Sequence, residues 1–130
     1  MGYRTVDPGD VAPEPDRPSE CRKLSAAAGL EAMAINRFRA EPGEQIPLGY
    51  HYHDEQEEAF YVLKGAMAVE TPEGTYEVGA DELFTVDPGS PQRAYVPAEA
   101  DGEATVLAIG APAVSGDAHP YEPEGDDVEE

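Results

Sequence analysis

The chain has 130 residues, room for one domain with tails to spare. Twenty-eight Asp and Glu against eight Lys and Arg leave a net charge of −20. Such a surface repels nucleic acid and anionic membranes, and neither is expected as a direct partner. Hydrophobic residues make up 40% of the chain and Trp is absent, so a modest core forms only if the polar ends stay outside it.

Residues 1–23 are rich in Pro and Asp, with Asp7-Pro8-Gly9, Pro13, Pro15 and Pro18. They read as an extended arm, laid over the domain or over a neighbouring subunit. Leu24 to Leu30 is small and Ala-rich and fits either a short helix or a strand entering the fold. Met33 to Ala40 alternates weakly, with Phe38 on the core face and Arg37 and Arg39 on the other, and stops at the turn signal Glu41-Pro42-Gly43. Short strand-like runs follow at Ile46 to His53, Ala59 to Leu63, Ala66 to Glu70, Thr75 to Val78, Leu83 to Val86, Arg93 to Val96 and Ala104 to Ile109. Pro72-Glu73-Gly74 closes a hairpin between Val69 and Tyr76, and Gly79-Ala80-Asp81 and Asp87-Pro88-Gly89 make two more breaks. Many short strands at regular spacing predict a sandwich or barrel over 24–112. Residues 113–130 lose the apolar pattern and form an acidic tail, expected to be mobile at its end, in which His119 is not expected to act as a ligand.

There is one cysteine, Cys21, so no intrachain disulfide forms, and its polar surroundings suggest no nucleophilic role. No charged-then-apolar leader opens the chain and no apolar run is long enough to span a bilayer, so a reduced, cytoplasmic protein is the expectation. A Gly-rich phosphate loop, G-x-S-x-G and C-x-x-C are all lacking, and Ser25 and Ser90 have no His at a suggestive spacing.

Two of the three histidines sit in one stretch, His51-Tyr52-His53, followed by Glu58 and then Gly65. In a strand alternate side chains share a face, so His51 and His53 can converge on one ion while Tyr50 and Tyr52 point away, toward another subunit. An acid from the next strand completes a set of two imidazoles and one carboxylate, which suits a divalent metal with open positions. Glu57 and Glu58 compete for that place from opposite faces. If Glu58 points inward, so do Phe60 and Val62, while Tyr61 points out. Asp54, Glu55 and Gln56 are then a solvated turn.

At these residues the chain resembles the cupin superfamily. The first cupin motif has the form H-x-H, three or four residues, E, six residues, G, and His51, His53, Glu58 and Gly65 fit it with the four-residue spacing. The spacing to Gly65 selects Glu58 over Glu57. In the second motif, P-x-G-x-x-H, Gly89 fits, Asp87 stands at the Pro position and Gln92 stands where the His is found. Gln92 then either ligates through its amide oxygen or hydrogen-bonds in the pocket. The resemblance implies an all-β fold, a double-stranded β-helix or jelly-roll barrel of the small single-domain kind. It further implies a homodimer and a metal site of His51, His53, Glu58 and Gln92 for Fe, Mn, Ni or Zn in the barrel mouth.

Three functional readings follow. The first is a metal-binding cupin with a small-molecule site, acting as an Fe- or Mn-dependent oxygenase or an isomerase. The second is a non-catalytic cupin that binds a small ligand, its metal weak or absent because of Gln92. The third is an oligomeric scaffold. The family hosts many functions on one fold, so the fold does not choose among them. The charge excess has its own reading, adaptation to a salt-rich cytoplasm, because the barrel region is acidic as well as the tails. At molar salt the screening length falls to about 3 Å and self-repulsion largely vanishes. The melting temperature is therefore expected to rise steeply with KCl in a thermal scan, and a flat response would contradict the halophilic reading.

Overall fold

Apolar residues at every second position are what a two-layer β structure requires, and the chain folds accordingly. The computed structural model describes residues 2–123. Its strands are β1 Glu20–Lys23, β2 Ala34–Ala40, β3 His51–His53, β4 Glu57–Lys64, β5 Ala66–Thr71, β6 Gly74–Gly79, β7 Leu83–Val86, β8 Arg93–Tyr95, β9 Ala104–Ala111 and β10 Ala118–Pro120, with an α-helix, α1 Leu24–Ala28, and a 3-10 turn at Pro8–Asp10. Every pairing is antiparallel. One sheet has the order β1-β2-β9-β4-β7, a second β6-β5-β8, and β10 pairs with β3. Bridges from Gln45 to Tyr95 and from His51 to Gln92 lay the segment that leads into β3 beside β8, so the two smaller sheets form one face of a jelly roll.

The core lies between the faces. Phe38, Phe60, Val62 and Val106 enter it from the larger sheet, and Met67, Val69, Val78 and Ala94 from the other. In β4 the alternation buries Phe60 and Val62, half-buries Glu58 on the same side, and leaves Glu57 exposed. The hairpin has the expected register, Val69 opposite Tyr76, with Thr71 opposite Gly74 closing it.

The strand runs from Ala59 onward fall where the alternation placed them. The run Ile46 to His53 does not: only His51–His53 is strand, because Pro47 and Gly49 interrupt the ladder. Leu24–Ala28 resolves as a helix, ended by Gly29 at φ 73. The N-terminal segment lies on its own barrel. Arg22 donates to the carbonyls of Pro8 (3.1 Å) and Val11 (2.6 Å), and Glu20–Lys23 at its end is a strand of the larger sheet. Cys21, expected in polar surroundings, is 0% exposed in the core. At the other end Ala118–Pro120 pairs with β3, whereas 124–130, where mobility was expected, lie outside the described residues. Among the described residues no helix is long and apolar enough to cross a membrane.

Gly65 of the sequence motif has a structural task. It joins β4 to β5 at φ +78, and a Cβ there would collide with the Glu103 carbonyl oxygen and stand 3.0 Å from Ala104 Cα. Gly65→Ala is therefore expected to destabilise the protein by about 2 kcal/mol or more, read by urea unfolding, through left-handed strain plus overlap with backbone that cannot yield. A neutral substitution would show that the turn relaxes freely.

Candidate metal centre

β3 and β4 belong to opposite faces of the sandwich, and the turn at 54–56 carries the chain between them. That crossing turns His51, His53 and Glu58 toward one another. Among the described residues these three form a group whose ligand atoms all lie within 4.8 Å of one another. The imidazoles meet edge to face, centroids 4.9 Å apart at 84°. His51 Nδ1 lies 2.8 Å from the Gly49 carbonyl oxygen, which can only accept, so Nδ1 donates and the neutral ring presents its lone pair at Nε2. His53 Nε2 stands 3.6 Å from Glu58 Oε1. Two donors about 2.1 Å from a common ion stand about 3.0 to 3.4 Å apart in octahedral or tetrahedral geometry, so a small contraction would close this pair on a cation. Nitrogen and carboxylate donors in this ratio fit Fe, Mn, Ni or Zn.

The electrostatics favour the same occupant. Burial, and then the neighbouring His51, push the His53 pKa down, against the pull of Asp117, which keeps the imidazole neutral as a ligand must be. Burial raises the Glu58 pKa to about 7, opposed by one hydrogen bond from Gln92 Nε2 at 3.2 Å. A buried carboxylate with so little support lacks a counter-charge.

Gln92 pairs through its backbone with His51 and is 2% exposed. Its amide nitrogen is spent on Glu58, and its Oε1 is buried with no partner. Gln92 thus stands beside Glu58 and His51 with an unpartnered side-chain oxygen.

Other neighbours escaped the sequence reading. Asp117 was submerged in the acidic tail, where composition offers no signal to single out one acid. Its carboxylate accepts from the backbone amides of Asp54 (3.1 Å), Glu55 (3.1 Å) and Gln56 (3.0 Å), and Oδ2 stands 3.6 Å from His53 Nδ1. Its burial favours the neutral acid, but the three amides and His53 outweigh it and hold the pKa low. Gln56, expected in a solvated turn, is buried. It donates to the Pro112 carbonyl at 3.1 Å and lies against Gly110, where a Cβ would come within 2.5 Å of its side chain. Tyr50 and Tyr52, expected to meet another subunit, pack on Tyr121 and His119 of their own chain, with ring centroids 5.0 and 5.3 Å apart. His119 folds back, donating from Nε2 to Asp54 Oδ2 at 2.7 Å.

A cavity of about 480 Å³ opens beside the triad, with His51 and Glu58 in its wall. Phe38, Ile46, Leu48 and Phe60 make it largely apolar, and it is completed by Arg17 from the N-terminal arm and His119 from the C-terminal segment. This volume suits a small organic ligand.

A family model described as "Cupin domain" matches residues 36–110. The chain belongs to the cupin family. Among curated proteins it is 33% identical over 88 residues to "Polyketide synthase CurC" of Streptomyces cyaneus, covering 63% of this chain and 53% of that protein. The chain thus spans about half the length of the curated relative it matches. Among solved structures, this cupin resembles the polyketide cyclase RemF from Streptomyces resistomycificus with a TM-score of 0.74 at 22% identity, covering 94% of this chain and 88% of that one. It also resembles a cupin-superfamily sugar phosphate isomerase from Silicibacter pomeroyi, with a TM-score of 0.72 at 21% identity over 85% of this chain and 76% of that one. At such identities the two structures share its fold, an all-β jelly roll.

The Glu58 shift sets a pH dependence. A carboxyl whose folded pKa exceeds its unfolded value stabilises the fold below the unfolded pKa, and that stability is lost as pH rises through the folded pKa, here about 7. In chelator-treated protein, the stability of wild type relative to Glu58→Gln should fall by roughly 3 kcal/mol between pH 4.5 and pH 8. Denaturant unfolding of both proteins across that range measures it, and a pH-independent difference would refute the assignment.

Proposed function

We propose that this cupin is a metal-dependent enzyme acting on a small carbonyl compound in the barrel cavity, with an isomerase- or cyclase-type reaction. The observation that carries this reading is the meeting of two imidazoles and a buried, under-supported carboxylate beside an apolar cavity. A divalent ion held by His51, His53 and Glu58, with Gln92 Oε1 as a further donor, would polarise a substrate carbonyl as a Lewis acid. The names of the relatives point the same way, since ring closure of a polyketide and isomerisation of a sugar both turn on moving a proton next to a carbonyl group. His119 lines the cavity and is oriented by Asp54 through Nε2, which leaves Nδ1 to take and return that proton. Phe38, Ile46 and Phe60 exclude water and accept a flat apolar body.

One observation supports a second reading, a non-catalytic ligand-binding cupin: the amide of Gln92 stands in place of an imidazole and is bonded to Glu58. Metal titration with elemental analysis of the full chain separates the two. The expected result is near-stoichiometric Fe, Mn, Ni or Zn in the wild type, lost in His51→Ala. Asp117→Asn should bind roughly 10- to 100-fold more weakly, because it removes the carboxylate facing His53 Nδ1. A wild-type chain that stays metal-free after reconstitution would overturn the enzyme reading and support the second.

A further inference from the structure

One side chain of the cavity has no part in the metal centre. Arg17 lines the same space as His51 and Glu58, and its guanidinium carbon lies 5.6 Å from the centroid of the Phe38 ring, a cation–π distance. Its Nε is buried and makes no hydrogen bond. Arg22, Lys23, Arg39 and Arg93 each face an acid, whereas among the described residues Arg17 has no ion pair. Part-buried Arg37 and exposed Arg4 and Lys64 likewise form no ion pair, but of these four cations only Arg17 lines the cavity. The backbone around it is fixed rather than slack. Asp16 has φ 59, a conformation seldom seen outside glycine, and Pro15 and Pro18 restrict the chain on either side.

Resting on the reading of this cavity as the small-molecule site, we infer that its ligand carries an oxyanion, a carboxylate or an ionised enol or phenol, on a flat apolar body, and that Arg17 binds the oxyanion. A guanidinium offers planar, paired donors to such a group, and its stacking on Phe38 holds it in place for that contact. Phe60 and Ile46 supply apolar walls for the remainder of the ligand.

The test uses the full chain, zinc-loaded and metal-free, with 2-naphthoate and its neutral analogue 2-naphthamide as probes in calorimetric titrations. The expected result is a preference for naphthoate of about tenfold or more in both forms. Arg17→Gln should abolish that preference by weakening naphthoate alone, and Arg17→Lys should retain part of it. Arg17→Met, which keeps apolar contact with Phe38, repeats the measurement should the Gln variant melt early. Equal affinity for the two probes, binding of neither, or a preference that survives Arg17→Gln and Arg17→Met would overturn the inference. Zinc affinity measured on the same samples keeps the two readings apart. A chain that binds no zinc yet prefers naphthoate through Arg17 sinks the metal reading and leaves this one standing. A preference that disappears on metal removal assigns the oxyanion to the metal and refutes the role of Arg17.

Discussion

His53 and Glu58 lie on opposite faces of the sandwich, and the turn that joins them must cross its edge without leaving backbone amides stranded. Three successive N–H groups, of Asp54, Glu55 and Gln56, point into one place there, and the Asp117 carboxylate fills it. Buried amides need partners, and a single anion that serves three of them fixes the path of the turn. The same carboxylate faces His53 Nδ1. The separation of the imidazole from Glu58 therefore depends on a residue more than sixty positions away, delivered by the segment that pairs with β3. Remove that carboxylate and the crossing loses its anchor and the ring the charge it faces.

The charge distribution gives the interior a different character from the surface. Outside, acids are abundant and most of the ion pairs are partly exposed, where each contributes little. Inside, two acids differ in their support: Asp117 is held by three amides, Glu58 by very little. Glu58 is buried beside two imidazoles, of which burial holds the His53 pKa low, and its only bonded support is a neutral amide. Gln92 is itself half-satisfied, since its oxygen finds no partner. A cluster of under-partnered polar atoms is costly in a stable fold, and it persists where binding a ligand or an ion makes up the deficit.

The strands that build the barrel were readable because alternation and turn chemistry agreed from Ala59 to Ile109: Gly65, Pro72 and Gly74 punctuate runs whose inward residues are apolar. The convergence of His51, His53 and Glu58 was readable for the same reason, since period two and a short turn leave few alternatives. What the sequence concealed lies at the ends. β1 and β10 are too short to show a period, and Cys21 in the core looks polar only by the company of Glu20, Arg22 and Lys23. Asp117 was one acid among many, and Gln56 owes its burial to Gly110, a residue far away in sequence that leaves space for its carboxamide. Such contacts are set by tertiary placement, which no local pattern encodes.

Those hidden ends also give the site its individuality. The barrel supplies the triad and the apolar walls, an arrangement compatible with many chemistries. Arg17 and His119 enter the cavity from segments outside the span that the family model matches, one from each terminus. A cation and an imidazole added from the two sides give the open barrel mouth a defined polarity. The side chains at these two positions can change while the backbone of the arm and the β10–β3 pairing stay as they are. Differences in what the cavity accepts are therefore expected to arise from side chains of the arm and the C-terminal segment, while the core between them preserves the geometry of His51, His53 and Glu58.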